Sequence, residues 1–354
     1  MKHVLNKNRF KNALFALTLA FFPLLTGCQN ASNRHYNRAM DYLSQDQYDQ
    51  AISEFTKAID LNPRLVEAYF QRGNTYSIIK GDHDLGILDF DKAIEINANS
   101  AELYYSRGGA YSQKGQYDQA ISDYTRAIQI NPKFAEVYND RGIASLDMEK
   151  YDLAISDFTE AIKLDPDSSC AYFNRGMAYG AKGEYGQAII DYTRAIELDL
   201  SYADAYYNRG RAYYDNGQYD LAISDYTMVL GIEPNDAGAY NNRAMAYIGR
   251  GEYDRAIADC NNAIAIDPQY DKPYHNRGLA YLGKREFDQA IMDCNSAIAL
   301  NPDLAQSYCS RAVAYRNKGE YYKAWEDVHK AESLGFRVRP EFLKELRDAS
   351  GRDE

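Results

Sequence analysis

A pattern of 34 residues recurs along most of this sequence and limits the chain to one kind of architecture. Its clearest copy, Ala101 to Phe134, reads AELYYSRGGAYSQKGQYDQAISDYTRAIQINPKF. Apolar residues lie at helical spacing on both sides of Gly115, which predicts two short helices. The Asn131-Pro132 pair ends the second helix, because proline lacks a backbone donor and disfavours helix at the residue before it. Each copy is therefore predicted to form one helical hairpin.

Nine consecutive copies cover residues 32–338, and residues 339–354 follow as a final helix and tail. A single hairpin cannot bury its apolar faces alone, so the copies are expected to stack and share a core. The second copy is one residue longer, with the insertion near Ile78-Ile79. The sequence thus predicts an all-α protein, an α-solenoid of nine hairpins with the final helix as its cap. The copies span residues 32–65, 66–100, 101–134, 135–168, 169–202, 203–236, 237–270, 271–304 and 305–338.

The repeat resembles the tetratricopeptide (TPR) repeat family at the positions that define its hairpin. In the copy that begins at Ala101, the matching residues are Tyr104, Gly108, Tyr111, Ala120, Tyr124, Ala127 and Pro132. The resemblance implies a superhelix whose first helices line a concave groove, with positions 2, 5, 6, 9 and 12 of each repeat facing that groove. It also implies protein or peptide partners, usually an extended peptide held in the groove.

One charged pair recurs in every repeat. Position 7 is arginine in all nine copies: Arg38, Arg72, Arg107, Arg141, Arg175, Arg209, Arg243, Arg277 and Arg311. Position 23 is acidic in all nine: Glu54, Asp89, Asp123, Asp157, Asp191, Asp225, Asp259, Asp293 and Asp327. Guanidinium and carboxylate groups form paired hydrogen bonds, so we expect an arginine–carboxylate ladder within each repeat or between adjacent repeats. Its expected role is structural, and recognition of phosphate or carboxylate is the alternative.

The N-terminus is predicted to be a lipoprotein signal peptide over residues 1–27. Four basic residues and no acid precede an apolar run at residues 13–25, which is too short for a permanent transmembrane helix. The motif LTGC that ends at Cys28 resembles a bacterial lipobox, which implies acylation of this cysteine and a short tether at residues 28–31. Gln29 in place of aspartate implies Gram-negative sorting to the outer membrane, facing the periplasm. The alternative is an ordinary signal peptide followed by a cysteine.

Composition and motif content argue against nucleic acid and against catalysis. The chain carries 40 basic and 51 acidic residues, a net charge of −11, and removal of the four basic residues of the leader gives −15. Nucleic-acid binding depends on basic groups. No residue stands out as a nucleophile, and we predict no cofactor, no metal site and no enzymatic activity. The histidines are scattered without the spacing of metal ligands: His3, His35, His83, His275 and His329.

Two cysteines break the aromatic pattern of the second helices. Cys260 and Cys294 occupy position 24 in adjacent repeats, where most other repeats place Tyr or Phe. Both are expected to be core residues, separated by too great a distance for a disulfide.

Position 6 carries four consecutive asparagines, Asn174, Asn208, Asn242 and Asn276, which we call the asparagine ladder. They resemble the asparagine ladder of the TPR domain of O-GlcNAc transferase, which implies binding to the backbone of an extended peptide. An amide offers both a donor and an acceptor, so it can satisfy a peptide group without selecting a sequence. The alternative is that asparagine is a tolerated polar residue before Arg-Gly. Flanking side chains complete the predicted peptide-binding set: Phe173, Tyr207, His275, Met177 and Met245.

These features predict a non-catalytic, lipid-anchored periplasmic adaptor that binds extended segments of partner proteins. The chain resembles TPR lipoproteins that scaffold peptidoglycan hydrolases and their processing protease. A pilotin-like lipoprotein that assists secretin or type IV pilus assembly is the alternative, although such chains are generally shorter. The repeats leave no room for a catalytic domain within residues 32–338. Self-association as a homodimer is also expected, because an open-ended solenoid with exposed aromatic residues can pair through its edges.

Overall fold

Residues 31–351, which the computed structural model of the protein describes, form α-helices joined by short turns and contain no strand. The first helices are α1 (Ala31–Ser44), α2 (Tyr48–Leu61), α3 (Val66–Asn74), α4 (His83–Ile96), α5 (Ala101–Gln113), α6 (Tyr117–Ile130), α7 (Ala135–Asp147) and α8 (Tyr151–Leu164). Then follow α9 (Ser169–Ala181), α10 (Tyr185–Leu198), α11 (Ala203–Asp215), α12 (Tyr219–Ile232), α13 (Ala237–Gly249) and α14 (Tyr253–Ile266). The last are α15 (Asp271–Lys284), α16 (Phe287–Leu300), α17 (Ala305–Asn317), α18 (Tyr321–Ser333) and α19 (Pro340–Ser350).

The described chain divides into two compact units, one ending at Pro166 and the other beginning at Asp167. In each unit, successive helices pair as hairpins, and each hairpin packs on the next one along the chain. Contacts limited to neighbouring repeats define a solenoid. The predicted all-α solenoid fold is therefore confirmed. The predicted signal peptide and Cys28 lie outside the described residues, within which no helix is long and apolar enough to cross a membrane.

The turn inside each hairpin passes through one residue with positive φ. Gly115 adopts a φ of 71° between α5 and α6, as the spacing of its repeat predicts. Three repeats lack this glycine, and there Asp46, Glu149 and Arg285 adopt φ values of 57°, 57° and 63°. Glycine takes this conformation without steric cost, whereas other residues do so rarely.

The two helices of a hairpin approach most closely at position 8. A Cβ atom added to Gly108 would lie 2.8 Å from Cε1 of Tyr124 and 3.3 Å from the carbonyl oxygen of Ala120. Tyr124, at position 24, is 2% exposed and fills the space between the helices. A small residue at position 8 and a ring at position 24 are therefore one packing unit.

The extra residue of repeat 2 is absorbed by a change in helix type. After Asn74, helix α3 continues as a π-helix over Thr75–Lys80, and Gly81 ends it with a φ of 72°. A π-helix has hydrogen bonds between residues five apart, whereas an α-helix has them between residues four apart. Each such bond therefore spans one additional residue, which accommodates an insertion without breaking the helix. The sequence locates the insertion but does not predict this solution.

Helix α19 packs against the last hairpin of the second unit. Phe342 and Leu346 are 6% and 0% exposed and join a cluster with Trp325 and Val328 of α18. Pro340 stands at the first position of the helix, where a backbone N–H would have no partner within the helix, so the missing N–H of proline costs no hydrogen bond. The apolar side of the final hairpin is thus covered.

The arginine–carboxylate ladder lies within repeats. In repeat 6, Nε and Nη2 of Arg209 donate to the two carboxylate oxygens of Asp225 at 2.8 and 2.7 Å. The same bidentate geometry joins Arg72 to Asp89, Arg107 to Asp123, Arg141 to Asp157, Arg175 to Asp191, Arg243 to Asp259, Arg277 to Asp293 and Arg311 to Asp327.

The remaining guanidinium nitrogen reaches the preceding repeat. Nη1 of Arg209 donates to the hydroxyl of Thr193 at 2.9 Å. Equivalent bonds join Arg72 to Thr56, Arg107 to Asp91, Arg141 to Thr125, Arg243 to Thr227, Arg277 to Asn261 and Arg311 to Asn295. One arginine thus fixes the two helices of its own hairpin and also fixes that hairpin to its neighbour.

Repeat 1 departs from the ladder. Arg38 is 61% exposed at its side chain and lies 3.8 Å from Glu54. His35 and Lys57 take its place, each with a nitrogen 2.6 Å from a carboxylate oxygen of Glu54. The sequence shows an arginine and an acid at these positions but does not reveal that they fail to form the bidentate pair.

Candidate functional site

An open cavity of about 350 Å³ lies in the second unit, mainly on the first helices of repeats 6 to 9, with Tyr226 of α12 and Leu304 before α17 also in its lining. Ligand sites in proteins commonly occupy about 300–1,000 Å³, so its size suits one or two side chains of a bound peptide. The cavity is lined by Arg211, Tyr214, Asp215, Tyr226, Asn241, Asn242, Met245, Lys272, His275, Asn276, Leu304 and Gln306.

Most lining residues occupy the repeat positions that the family resemblance assigns to the groove. Position 2 supplies Lys272 and Gln306, position 5 supplies Asn241 and His275, position 6 supplies Asn242 and Asn276, position 9 supplies Arg211 and Met245, and position 12 supplies Tyr214. Lys272, Gln306 and Tyr214 were not among the predicted site residues. The repeat register was the signal that would have identified them.

Part of the asparagine ladder forms a hydrogen-bonded chain beside the cavity. Nδ2 of Asn242 donates to the hydroxyl of Tyr207 at 2.8 Å. Nδ2 of Asn241 donates to Oδ1 of Asn242 at 3.2 Å, and Nδ2 of Asn276 donates to Oδ1 of Asn241 at 2.7 Å. Asn241 and Asn276 are 3% and 4% exposed. Asn241, which is outside the predicted set, thus links two members of the ladder and orients their amides.

The other two asparagines lie apart from this chain. Asn208 donates through Nδ2 to the carbonyl oxygen of Asp204, one turn earlier in α11, at 2.8 Å. Asn174 is 9% exposed and, like Asn208, does not line the cavity. The four asparagines therefore share a repeat position but not a common environment.

Phe173 and Met177 contribute to the core of repeats 5 and 6. The Phe173 ring is centred 5.8 Å from the ring of Tyr192 and 4.9 Å from that of Tyr202, and its residue is 9% exposed. Met177 packs against the same cluster while partly exposed. Phe173 offers little surface to a partner in this conformation, and the role of both residues in peptide binding stays a prediction.

His275 acts as a neutral hydrogen-bonding group on the cavity wall. Its Nδ1 lies 3.0 Å from the hydroxyl of Ser307. Burial lowers the pKa of His275 to about 4, an effect that the nearby carboxylate of Asp271 opposes. The ring is therefore uncharged at neutral pH. Among the described residues, no group of His, Cys, Asp or Glu is arranged to hold a metal ion.

Two cations give the cavity a charge opposite to that of the chain. Arg211 has only a distant ion pair, with Nε 3.9 Å from Asp215. Lys272 is exposed and makes no ion pair within residues 31–351. Amides, a neutral imidazole, aromatic rings, two cations and the carboxylate of Asp215 therefore line one cavity.

Models of one repeat family match successive parts of the chain. Three models described as tetratricopeptide repeat match residues 101–134, 135–168, 203–236, 237–270 and 272–304, residues 66–100, and residues 158–190. A model described as TPR repeat matches residues 40–77 and 178–217. No curated protein matches the chain significantly.

Several solved structures share the fold. The C-terminal part of a TPR repeat-containing protein from Cytophaga hutchinsonii is 21% identical over 68% of this chain and 98% of its own, with a TM-score of 0.58. A tetratricopeptide repeat protein from Parabacteroides merdae is 23% identical over 71% of this chain and 99% of its own, with a TM-score of 0.56. The hetero-tetramer Cut9-Hcn1 of the APC/C matches at 16% identity over 97% of this chain and 81% of its own, with a TM-score of 0.55. At these identities the likeness concerns the fold alone.

Proposed function

This chain belongs to the tetratricopeptide repeat family, and we propose that it is a non-catalytic scaffold that binds an extended segment of a partner protein. The observation that carries the proposal is the convergence of positions 2, 5, 6, 9 and 12 on one cavity of the second unit. Repeated positions that meet at a concave, polar surface are suited to following a peptide from one repeat to the next.

The asparagines beside the cavity retain hydrogen-bonding capacity for a peptide backbone. An amide side chain carries two N–H groups and two acceptor lone pairs. Asn242 uses one N–H toward Tyr207 and one lone pair toward Asn241. Its second N–H and second lone pair can pair with the C=O and N–H groups of an extended peptide. The bonds to Tyr207 and Asn241 hold the amide in place, which lowers the entropy lost on binding.

Cross-linking in cells tests this proposal. A photoreactive residue replaces Lys272 or Gln306, both exposed at the cavity, and the matched control replaces Met292, which is 67% exposed on α16 of repeat 8. We expect the cavity sites to capture a cell-envelope partner, such as a peptidoglycan hydrolase or protease, that the control site does not capture. Capture of secretin or pilus components would support the pilotin-like alternative. Identical products from cavity and control sites would contradict binding in the groove.

The proposal places the scaffold at the periplasmic face of the outer membrane through lipid on Cys28. Acyl chains contribute about 0.8 kcal/mol for each buried methylene, and two or more chains are needed for stable anchoring. The short tether at residues 28–31 would keep the repeats close to the bilayer.

Metabolic labelling tests the anchor. We expect cells that express the natural chain to incorporate labelled palmitate into it, and to retain it in the outer-membrane fraction. Cys28→Ala should lose the label and move to the soluble fraction, because the acylated sulfur is gone. Equal labelling of both proteins would contradict lipid attachment at this residue.

A further inference from the structure

The cores of most repeats contain a pair of rings at positions 5 and 24. Ring centroids lie between 5.7 and 6.2 Å apart in the pairs Tyr36 and Phe55, Phe70 and Phe90, Tyr105 and Tyr124, Phe173 and Tyr192, and Tyr207 and Tyr226. Each pair fills the space beside the groove with aromatic volume. Such contacts stabilise a core through burial and through ring geometry.

Repeats 7, 8 and 9 lack both rings. In repeats 7 and 8, Asn241 and His275 replace the ring at position 5, and Cys260 and Cys294, each 0% exposed, replace the ring at position 24. The cavity lies where these smaller residues follow one another, with Asn241 and His275 in its wall. Cys260 and Cys294 do not line the cavity, so the difference that bears on it is the missing ring at position 5 of the two repeats.

We propose that this cavity accepts an aromatic side chain from the bound peptide, beside Asn241 and His275, at the position where five other repeats carry a ring of their own. The inference rests on the proposed peptide-binding function and names the side chain that it selects. Tyr214, Met245 and Leu304 supply apolar contacts, and methionine adapts its shape to a ring. The neutral imidazole of His275 and the amides of the ladder can bond to a hydroxyl on that ring.

The charges at the cavity indicate an acidic residue next to the aromatic one. Several other basic residues on these repeats are paired at short range. Lys284, for example, lies 2.8 Å from Asp254. Lys272 has no such partner among residues 31–351, and Arg211 has only the contact of 3.9 Å with Asp215. Asp215 also lines the cavity, so two cations stand against one carboxylate there, and in a chain with a net charge of −11 this local excess of positive charge favours a carboxylate of the ligand.

Binding of short labelled peptides to the full chain tests the inference. The probes are Gly/Ser peptides with Tyr beside Glu, with Ala beside Glu, and with Tyr beside Lys, and the readout is fluorescence anisotropy. We expect the Tyr-Glu peptide to bind roughly tenfold or more tighter than the Ala-Glu peptide, because a buried ring contributes about that factor. We also expect the Tyr-Glu peptide to bind roughly tenfold tighter than the Tyr-Lys peptide, because lysine in place of glutamate replaces an attraction to the cations of the cavity with a repulsion.

Two methionines of adjacent repeats provide matched variants. Met245→Trp fills the cavity, so the preference for Tyr over Ala should disappear. Met292→Trp introduces the same side chain on α16, where Met292 is 67% exposed and does not line the cavity, and should keep that preference. Replacing both Arg211 and Lys272 with Glu should reverse the charge preference, so that the Tyr-Lys peptide binds more tightly than the Tyr-Glu peptide.

The outcomes separate this inference from the proposed function. Equal binding of the Tyr and Ala peptides, together with capture of a partner from Lys272 in cells, would overturn the aromatic site and leave the scaffold function standing. A Tyr-Glu preference that Met245→Trp removes, with no capture in cells, would support the site and contradict the function. Failure of every probe to bind would overturn the aromatic site.

Discussion

Arg209→Leu is expected to lower the free energy of unfolding by about 3–5 kcal/mol, because it strands the buried carboxylate of Asp225. Asp225 is 4% exposed, and its two short bonds to Arg209 are the ion pair that compensates its burial. The same change removes the bond to Thr193 of the preceding repeat. Urea unfolding followed by circular dichroism measures the loss. The loss should shrink at acidic pH, where protonation neutralises the stranded carboxyl group.

The matched control is Arg38→Leu, at the same position of repeat 1. The Arg38 side chain is 61% exposed, and Glu54 keeps its partners His35 and Lys57. We expect a loss below about 1 kcal/mol, as for other exposed ion pairs. Folded Arg209→Leu should still bind peptide, since Arg209 does not line the cavity. Equal losses in the two variants would refute the structural role of the ladder, and lost binding in the folded variant would favour the recognition role instead.

Gly108→Leu is expected to destabilise its hairpin by about 1–3 kcal/mol through overpacking. Already the first carbon of the new side chain would lie 2.8 Å from the Tyr124 ring, which is itself buried and cannot withdraw. The two helices must then separate or the ring must leave its rotamer. Thermal and urea unfolding report the change, and loss of tyrosine near-ultraviolet dichroism reports the displaced ring.

The adjacent glycine gives the opposite expectation. A Cβ atom on Gly109 would meet only the hydroxyl of Tyr124, at 4.0 Å, and repeat 8 carries Leu279 at the equivalent position. Gly109→Leu should therefore stabilise the chain by up to about 1 kcal/mol, because glycine in a helix interior loses more backbone entropy on folding. A similar destabilisation by both substitutions would show that helix crossing at position 8 is not the cause.

The helical hairpins could be predicted from the sequence because the same physical requirement recurs in every repeat. Gly115, Gly108 and Tyr124 each satisfy a local condition, a positive φ, a close crossing or a filled gap, and repetition makes each condition visible. The ladder could be predicted for the same reason. The failure of Arg38 to form its bidentate pair could not, because His35 competes for Glu54 through a contact between helices that no spacing reveals.

The candidate site could be predicted only in part. The register indicated which positions face the groove, and Asn242, Asn276, His275 and Met245 indeed line the cavity. The register could not distinguish Asn242, which bonds to Tyr207, from Asn208, which turns back to its own helix at Asp204. That choice depends on the neighbouring side chains in three dimensions. The cavity wall carries Asn241 and His275 where other repeats carry a ring at position 5, and a sequence pattern shows absent rings less readily than present ones.

The third bond of the ladder arginines couples successive hairpins within each unit. Each such bond joins the hairpin that carries the arginine to the hairpin before it, so disorder in either hairpin weakens the other. Arg38 has no earlier repeat to hold and is mostly exposed, so the first hairpin is coupled to the rest from one side only. Backbone amide hydrogens of the first hairpin should therefore exchange with solvent faster than those of the hairpins that follow it.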